Sequence, residues 1–489
     1  MFLNHESALP FVGLLLIFIW APGTPARSND IQQRIEDLHE RYRIDRSRTG
    51  IHFRSLRSGE SIYAQNIDTP FVPASNMKLV TAFAALNALG SNYMFHTELY
   101  VDRGDQQRKH LYVRGTGDPT ISRRSHKRAT DIFKAWATTL KNNGHSRFKG
   151  HLFLDSSAYE PRSRHSSWSE YQHTYWYTAP VHALNFNDNC VLVRVRPRSP
   201  GEKAEVQVEP EAAPVTLRNR TKTVTDKSKA HIEFHRLEDT WTLTVKGGIR
   251  PGTARTEWIT IPYPPTYFGT VLKSVFEQEG LPISGPIRSR QVPDRIRSGP
   301  ADISRSTPLN QLLTPMLKES QNLYAETIFK QLSYQHTGKG SWTGGSKRVR
   351  TILRKKEIPT DGCIFVDGSG LSRQNRLTPR SITGLLNNWV HSRKLRPYID
   401  ELAISGRDGT MEHRLNKSPY RRAVAAKTGT LSGVRALSGV AGFRHLNDPA
   451  RDVVLFSIIV NEKDLPPGNA RVFVDHVARL AGDIADLGK

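Results

Sequence analysis

Three short motifs lie far apart in this chain, and a fold that uses all three must bring them together. They are Ser75-Asn76-Met77-Lys78, Ser320-Gln321-Asn322 and Lys427-Thr428-Gly429. Much of the chain between the first two motifs, residues 191–262, carries a series of strand patterns. A block of that kind cannot belong to the core in which the motifs meet, so it must form its own unit. We therefore predict a core built from both ends of the chain and a β-rich insertion between them.

The elements of the fold are predicted from hydrophobic periodicity. Residues 77–89 are almost wholly apolar and stop at Gly90, which indicates a helix buried on nearly all sides. A hairpin is predicted at 50–66, and the strand patterns at 191–262 suit an antiparallel sheet. Further strands are predicted at 98–102, 423–427, 436–443 and 453–460, and further helices at 30–42, 132–140, 267–279, 309–318, 322–335, 345–356, 379–392 and 471–487.

The charge balance indicates either an anionic partner or a solvated basic surface. Lys and Arg number 70 and Asp and Glu 46, which gives a net charge of +24. Nucleic acid is not favoured as a partner, because the chain has no zinc-ligand spacing, helix-turn-helix pattern or aromatic RNA-binding motif. An anionic envelope polymer, or peripheral contact with a membrane surface, fits better. A basic surface without any partner remains the alternative.

The N-terminal segment has the pattern of a secretory signal. The apolar run from Phe11 to Trp20 is too short to span a bilayer comfortably. Small residues follow at Thr24 and Ala26, so cleavage is predicted near Ala26. No Lys or Arg precedes the run, and an uncleaved anchor is therefore the alternative. In both cases we predict a protein that is exported across the inner membrane to the periplasm.

No cofactor is expected from the sequence. No group of His, Asp, Glu or Cys has the spacing of metal ligands, so we predict neither a metal nor another cofactor. The two cysteines, Cys190 and Cys363, could form a disulfide in an oxidising compartment or remain separate thiols. Both alternatives stay open, because spacing along the chain does not show whether the two sulfur atoms meet.

The first motif has the residues of an activated serine. Ser75 and Lys78 are three positions apart, so in a helix they lie on one face about one turn apart. A lysine with its ordinary pKa of about 10.4 is no base at neutral pH, but burial and a second lysine nearby both lower that pKa. Neutral Lys78 could then take the proton of Ser75. The same spacing recurs by chance at Ser146-Arg147-Phe148-Lys149, where no apolar helix follows.

The second and third motifs can complete such a site. Ser320 lies between two predicted helices, where its hydroxyl can pass on a proton, and the Asn322 amide can hold a substrate backbone group. A simple helix cap is the alternative for this motif. Lys427 follows a strand-like run and can attract a carboxylate, which Thr428 can also bind, while Gly429 leaves room for a peptide along the edge. An exposed edge lysine is the alternative there. The joint occurrence of the three motifs, in this order, favours a catalytic site.

With these residues in place, the chain resembles the D-alanyl-D-alanine carboxypeptidase/endopeptidase family, the low-molecular-mass class C penicillin-binding proteins. Their motif order, S-x-x-K followed by a Ser-Asn motif and K-T-G, is the one found here. The resemblance covers nearly the whole chain after the signal segment. Five further segments match as well: Pro73-Ala74-Ser75 and residues 115–119, 179–185, 367–372 and 406–410.

The resemblance implies a role for each motif residue. It implies Ser75 as the acyl-enzyme nucleophile, Lys78 as its base, and Ser320 with Lys427 as proton relays. The backbone N–H groups of Ser75 and Thr430 would form the oxyanion hole, and such donors are worth about 3–4 kcal/mol each. The implied substrate-binding residues are Asn322, Lys427, Thr428, Gly429 and Thr430.

The resemblance also implies the domain organisation. The fold class is mixed α/β of the α+β type, with a transpeptidase/β-lactamase-like catalytic domain in which helices flank an antiparallel sheet. After the signal peptide (residues 1–26), this domain would comprise residues 27–95 and 300–489. A β-rich second domain would comprise residues 96–118 and 190–299, and a third, residues 119–189, would be nested within it.

The implied function is that of a serine-type D-Ala-D-Ala carboxypeptidase, a D,D-endopeptidase, or both, acting on peptidoglycan stem peptides and acylated by β-lactams such as penicillin. Two alternatives stay open: a β-lactamase or esterase of the same fold, and a catalytically silent wall-binding protein. One departure concerns the third domain, where some relatives have an aspartate a few residues after a tryptophan. Here the stretch from Trp168 to Tyr177 contains Glu170 but no Asp.

Overall fold

The structure, a computed structural model, describes residues 24–104, 107–169, 173–448, 450–463 and 467–485. The helices are α1 (Thr24–Tyr42), α2 (Met77–Ala88), α3 (Asp131–Asn142), α4 (Pro264–Gln278), α5 (Asp294–Arg297), α6 (Leu309–Leu317), α7 (Asn322–Thr337), α8 (Trp342–Lys355), α9 (Pro379–His391) and α10 (Pro467–Ile484). The strands are β1 (Thr49–Ser55), β2 (Ser61–Gln65), β3 (Met94–Val101), β4 (Leu111–Gly115), β5 (Leu152–Asp155), β6 (Cys190–Arg196), β7 (Glu205–Glu209), β8 (Thr216–Thr223), β9 (Ile232–Arg236), β10 (Thr242–Ile249), β11 (Arg255–Thr260), β12 (Ile287–Ser289), β13 (Ile303–Pro308), β14 (Ala403–Ile404), β15 (Val424–Leu431), β16 (Val434–Ala441) and β17 (Val454–Asn461).

A six-stranded sheet joins the two ends of the chain. Its order is β14-β15-β16-β17-β1-β2, and every neighbouring pair is antiparallel. The strands from the N-terminal end, β1 and β2, continue the sheet that the C-terminal strands begin, with Ile51 opposite Ile458. One face packs against α1 and α10 through residues such as Ile35 and Phe473, and the other packs against a cluster that includes α2 and α9. The predicted α+β core, an antiparallel sheet flanked by helices, is confirmed.

Helix α2 is buried on all sides, as its apolar sequence predicted. Every residue from Met77 to Leu86 is buried, including Lys78 and Thr81. Its ring contacts include Phe83 against Trp389 of α9, with centroids 6.2 Å apart. Because the helix has no free face, its N-terminal turn is held firmly against the large sheet, and the first motif lies in that turn.

The region between the motifs forms three smaller sheets. Their orders are β8-β10-β9, β11-β6-β7 and β12-β5-β4-β3-β13. The prediction of a purely antiparallel unit is wrong for β8 and β10, which run parallel with Thr216 opposite Thr242. The hairpin of β9 and β10 occupies one edge of β10, which leaves the other edge for β8. Alternating hydrophobicity predicts a strand, but it does not say which neighbour the strand will have.

The division of the insertion into two domains stays a prediction. Strand β5 lies within the predicted third domain, yet it pairs with β4 and β12 on either side. A single cluster of buried residues also joins α3 and β5 to α4 and β6. The described residues therefore share one apolar core across the predicted boundaries at 118/119 and 189/190.

The predicted signal segment lies mostly outside the described residues. The apolar run from Phe11 to Trp20 lies outside the described residues, and Thr24 and Ala26 fall in the first turns of α1. Within the described ranges, no helix combines the length and apolar character needed to cross a membrane.

Cys190 and Cys363 are both buried and free, which matches the alternative of two separate thiols.

Candidate active site

Ser75 lies in a short 3₁₀ turn, residues 74–76, that leads into α2. Strand β15 packs directly on this turn. A Cβ atom at Gly429 would lie 2.8 Å from the carbonyl oxygen of Pro73 and 3.3 Å from Ala74 Cβ. Glycine at this position therefore allows the strand to approach the turn that contains Ser75. The predicted role of Gly429, room for a peptide along the strand edge, stays a prediction. Ala74 itself has a φ of 46°, so the turn is held in the left-handed region.

Lys78 Nζ has three hydrogen-bond partners. It lies 2.9 Å from Ser75 Oγ, 2.6 Å from Asn322 Oδ1 and 2.9 Å from the carbonyl oxygen of Ser369. The two carbonyl oxygens can only accept. A neutral amine can therefore donate its two N–H groups to them and accept the Ser75 hydroxyl proton with its lone pair. The geometry satisfies both the neutral amine and the ammonium ion, so the proton can move without breaking the network.

Burial makes the neutral form of Lys78 accessible. The side chain is completely buried, and loss of solvation lowers its pKa from the ordinary value to about 7. The charges of Glu326 and Asp367 act in the opposite direction and raise this pKa. Near pH 7 a large fraction of Lys78 is therefore uncharged, as a general base requires.

The loop of residues 367–372 wraps its backbone around two buried carboxylates. Glu326 accepts the N–H groups of Gly368 at 3.0 Å and Ser369 at 2.7 Å. Asp367 accepts those of Gly370 at 2.8 Å and Ser372 at 2.6 Å. Because both carboxylates hold the loop in place, the carbonyl oxygen of Ser369 is fixed on Lys78 Nζ.

Glu326 is a residue that sequence reasoning missed. It is buried, and it also accepts the indole N–H of Trp342 at 2.8 Å. Burial first, and then the charge of Asp367, raise the pKa of Glu326 above its ordinary value, while the N–H donors oppose the shift. The signal that could have found it is spacing, since Asn322, Glu326 and Lys330 recur at four-residue intervals on α7 and so share a face.

Asn322 is engaged within the protein. Its Oδ1 accepts from Lys78 Nζ, and its Nδ2 donates to the carbonyl oxygen of Tyr177 at 2.7 Å. Tyr177 comes from the inserted part of the chain, so the Asn322 side chain links the insertion to Lys78. The predicted use of the amide, to hold a substrate backbone group, stays a prediction, and a ligand would have to share or displace these bonds.

Ser320 and Lys427 meet across the cleft. Ser320 lies between α6 and α7 with a φ of 63°, and its Oγ is 2.9 Å from Lys427 Nζ. Lys427 is fully buried and also donates to the carbonyl oxygen of Thr428 at 3.0 Å. Burial first, then the charges of Lys78 and Arg414, lower the pKa of Lys427 well below its ordinary value. Two buried ammonium groups in one cleft repel each other, so neither is easily charged while the other is.

A cleft of about 490 Å³ is lined by five of the predicted site residues. Ser75, Ser320, Asn322, Thr428 and Thr430 all lie along it. Trp176 and Tyr177 of the insertion form part of its wall. The single acidic residue among its lining, within the described chain, is Glu319, which forms an ion pair with Arg124. Thr428 Oγ1 donates to Thr410 Oγ1 at 2.9 Å, which connects the third motif to the predicted segment 406–410.

Removing the charge of Glu326 should shift the titration of Lys78. Because this carboxylate raises the pKa of Lys78, Glu326→Gln is expected to lower that pKa. The acidic limb of the pH profile for penicillin acylation should then move to lower pH. Stopped-flow acylation between pH 5 and 9 measures this limb. Glu277→Gln, an exposed residue of α4, is the matched control, and a Glu326→Gln limb that stays in place would contradict the coupling.

The group that faces Ser75 Oγ is the buried amine of Lys78, in the helix that follows the Ser75 turn, rather than a histidine. On an antiparallel sheet flanked by helices, with a Ser-Lys pair opposite, this arrangement belongs to the penicillin-recognising serine hydrolases. The chain belongs to the D-Ala-D-Ala carboxypeptidase 3 (S13) family, whose sequence model matches residues 31–479. The protein is thus a serine-type D-alanyl-D-alanine carboxypeptidase by family, and the predicted resemblance is confirmed.

Known relatives match over most of the chain. A D-alanyl-D-alanine carboxypeptidase of an Actinomadura species is 29% identical over 436 residues, which cover 86% of this chain and 80% of that protein. The D-alanyl-D-alanine carboxypeptidase DacB of Haemophilus influenzae is 26% identical over 410 residues, covering 80% and 82%. The crystal structure of penicillin binding protein 4 from Haemophilus influenzae matches with a TM-score of 0.78 at 24% identity and covers 92% of this chain and 99% of that one. The last comparison shows that the fold is shared.

Proposed function

We propose that Ser75 is the nucleophile and Lys78 the general base in hydrolysis of the D-Ala-D-Ala bond of peptidoglycan stem peptides. The observation that carries this proposal is the buried Lys78 Nζ, 2.9 Å from Ser75 Oγ. In acylation Ser75 Oγ bonds to the carbonyl carbon of the penultimate D-alanine while its proton passes to Lys78. The backbone N–H groups of Ser75 and Thr430 would stabilise the oxyanion. The C–N bond then breaks and the terminal D-alanine leaves as the amine.

Ser320 and Lys427 are proposed to return the proton to the departing amine. Ser320 Oγ lies 2.9 Å from Lys427 Nζ. This pair would relay the proton from Lys78 to the nitrogen of the departing D-alanine. The carboxylate of the terminal D-alanine is proposed to bind beside Lys427 and Thr428. Because an opposite charge favours the charged form, the arriving carboxylate would raise the pKa of Lys427 and convert it to an ammonium ion. Water then releases the acyl group from Ser75, with Lys78 as the base again.

We also propose that β-lactams acylate Ser75, since they present a strained amide to the same nucleophile. Penicillin binding protein 4 from Haemophilus influenzae has been crystallised in complex with a β-lactam. The β-lactamase alternative requires a base for fast release of the acyl group. Glu319 is the one acid of the described cleft lining, and its ion pair with Arg124 argues against that role. We further propose a periplasmic location, which the predicted signal sequence and the proposed peptidoglycan substrate support.

Digestion of defined muropeptides tests the reaction and separates its two forms. We expect the purified protein to remove one alanine from a pentapeptide monomer, as seen by mass spectrometry. Conversion of a D-Ala-linked dimer into two monomers would add endopeptidase activity. A protein that leaves both substrates intact, while remaining folded and stable, would contradict the proposed function and favour a silent wall-binding protein.

A further inference from the structure

A second cleft, of about 740 Å³, lies beside the active-site cleft and shares no lining residue with it. We call it the basic cleft. The two clefts are neighbours at two points of the chain. Lys318 lines the basic cleft and Glu319 the active-site cleft, while Asp408 lines the basic cleft and Thr410 the active-site cleft. The residues that line the basic cleft and carry its charge are Lys318, Arg393, Arg396, Asp400, Arg407, Asp408 and Arg444.

The cationic groups of the basic cleft exceed its acids by five to two. Lys318 and Arg407 approach Asp408 at 2.9 Å and 3.7 Å, so these two cations are partly neutralised. The side chains of Arg393, Arg396 and Arg444 have neither an ion pair nor a hydrogen bond within the described chain. Arg393 and Arg444 are exposed. Three guanidinium groups without an ion-pair partner thus line one cavity, and the carboxylate of Asp400 in the same lining offsets only part of their charge.

Arg396 gives an independent indication of a missing partner. Its Nη2 is buried and has no hydrogen-bond acceptor. A guanidinium always carries its charge and its five N–H donors, so an unpaired buried donor costs free energy that an acceptor would recover. The apolar side chains of Ile399, Phe443 and Leu446 also line the cleft and lower the local dielectric constant. An anion there would interact more strongly than on an open surface.

Another cleft with basic residues in its lining differs in this respect. It has a volume of about 590 Å³, and Arg123 and Arg194 both pair with Glu209. Lys127 and Arg128 also line it and are exposed. They provide a matched pair of cations at which the same loss of charge can be made without touching the basic cleft.

We propose that the basic cleft binds a phosphate-bearing ligand. Guanidinium groups match phosphate oxygens in a bidentate manner. A phosphate monoester presents three acceptor oxygens and a charge near −2, which suits three unpartnered arginines better than a planar carboxylate does. The net charge of +24 would draw such a ligand to the protein over long range. Because the two clefts have separate linings, a phosphate can occupy the basic cleft while substrate occupies the other.

Binding measurements with two sources of phosphate test this proposal. The probes are inorganic tripolyphosphate, followed by titration calorimetry, and vesicles that contain phosphatidic acid, a lipid phosphate monoester, followed by sedimentation with phosphatidylcholine vesicles as the reference. The protein is the full mature chain, either wild type, Arg393→Gln/Arg444→Gln or the matched control Lys127→Gln/Arg128→Gln. Circular dichroism and thermal unfolding establish that each variant is folded. Arg396→Lys is a separate third variant. It keeps the positive charge but loses the planar guanidinium that can donate two parallel hydrogen bonds.

We expect the wild type to bind tripolyphosphate and the Arg393→Gln/Arg444→Gln variant to bind it roughly tenfold more weakly, the loss of one charge-assisted contact or more. The control variant should stay within about twofold of wild type. Vesicle binding with the same variant dependence would assign the phosphate to a lipid headgroup, and its absence to a soluble or polymeric phosphate. No binding of either probe by the wild type, or equal weakening in both double variants, would overturn the proposal.

Discussion

Replacing Ser75 with alanine should abolish covalent labelling by fluorescent penicillin and lower kcat for D-alanine release by more than about 10⁴-fold. The reason is that Ser75 Oγ is the hydroxyl in contact with Lys78 Nζ, so its loss removes both the attacking atom and the acceptor of the acyl group. Gel fluorescence after incubation with labelled penicillin, together with D-alanine release from a pentapeptide, measures the effect.

The chain supplies its own control for this experiment. Ser146 and Lys149 repeat the spacing of Ser75 and Lys78, but both side chains are exposed. Ser146→Ala should therefore label like the wild type. Labelling that survives Ser75→Ala would place the nucleophile elsewhere and contradict the proposed mechanism. In the wild type we expect the adduct to persist for many minutes, and release within seconds would instead favour the β-lactamase alternative.

The second large effect is expected from Lys78 and from pH. The pKa of Lys78 is about 7. Below this pH the side chain is an ammonium ion, which cannot take a proton, and above it the side chain is a neutral amine, which can. The second-order rate of acylation should therefore fall about tenfold per pH unit well below pH 7 and level off above it. Stopped-flow acylation from pH 5 to 9 gives this profile, and a rate that is flat over that range would contradict the assignment.

Lys78→Arg separates the base from the charge. Arginine keeps a cation at this position but does not release its proton in this pH range. We expect the acylation rate to fall by about 10³-fold or more, with no recovery up to pH 9, since general bases contribute about 10²–10⁴-fold. Lys149→Arg is the matched control, because that lysine is exposed. Recovery of the Lys78→Arg variant at high pH would show that another group takes the proton.

The residues of the site were predictable where short motifs carry the chemistry. The structure brings Lys78 into contact with Ser75 and Asn322, and Ser320 into contact with Lys427. Their catalytic roles stay predictions until the variants are measured. Glu326 was not predictable in the same way, because a glutamate on a helix is ordinarily solvated. It is buried by a loop from residues 367–372, a contact made between segments that are distant in sequence.

The fold shows the same division between local and distant information. Apolar runs and strand patterns predicted α2, the hairpin of β1 and β2, and the C-terminal strands, since each depends on side chains that are neighbours in sequence. The parallel pairing of β8 with β10 was missed, because pairing depends on which strand edge remains free after the hairpin forms. The engagement of Asn322 with Tyr177 was missed for a similar reason, since the partner comes from the insertion.

The pairing of β1 with β17 has a consequence for biosynthesis. Thr49 lies opposite Val460 and Ser55 opposite Val454, so the first strand of the described residues pairs with the last one. Wherever the chain folds, β1 and the turn that bears Ser75 must wait for the C-terminal strands before their sheet can close, and such long-range pairing is slow. A premature stop codon anywhere before β17 would therefore yield no partly active fragment.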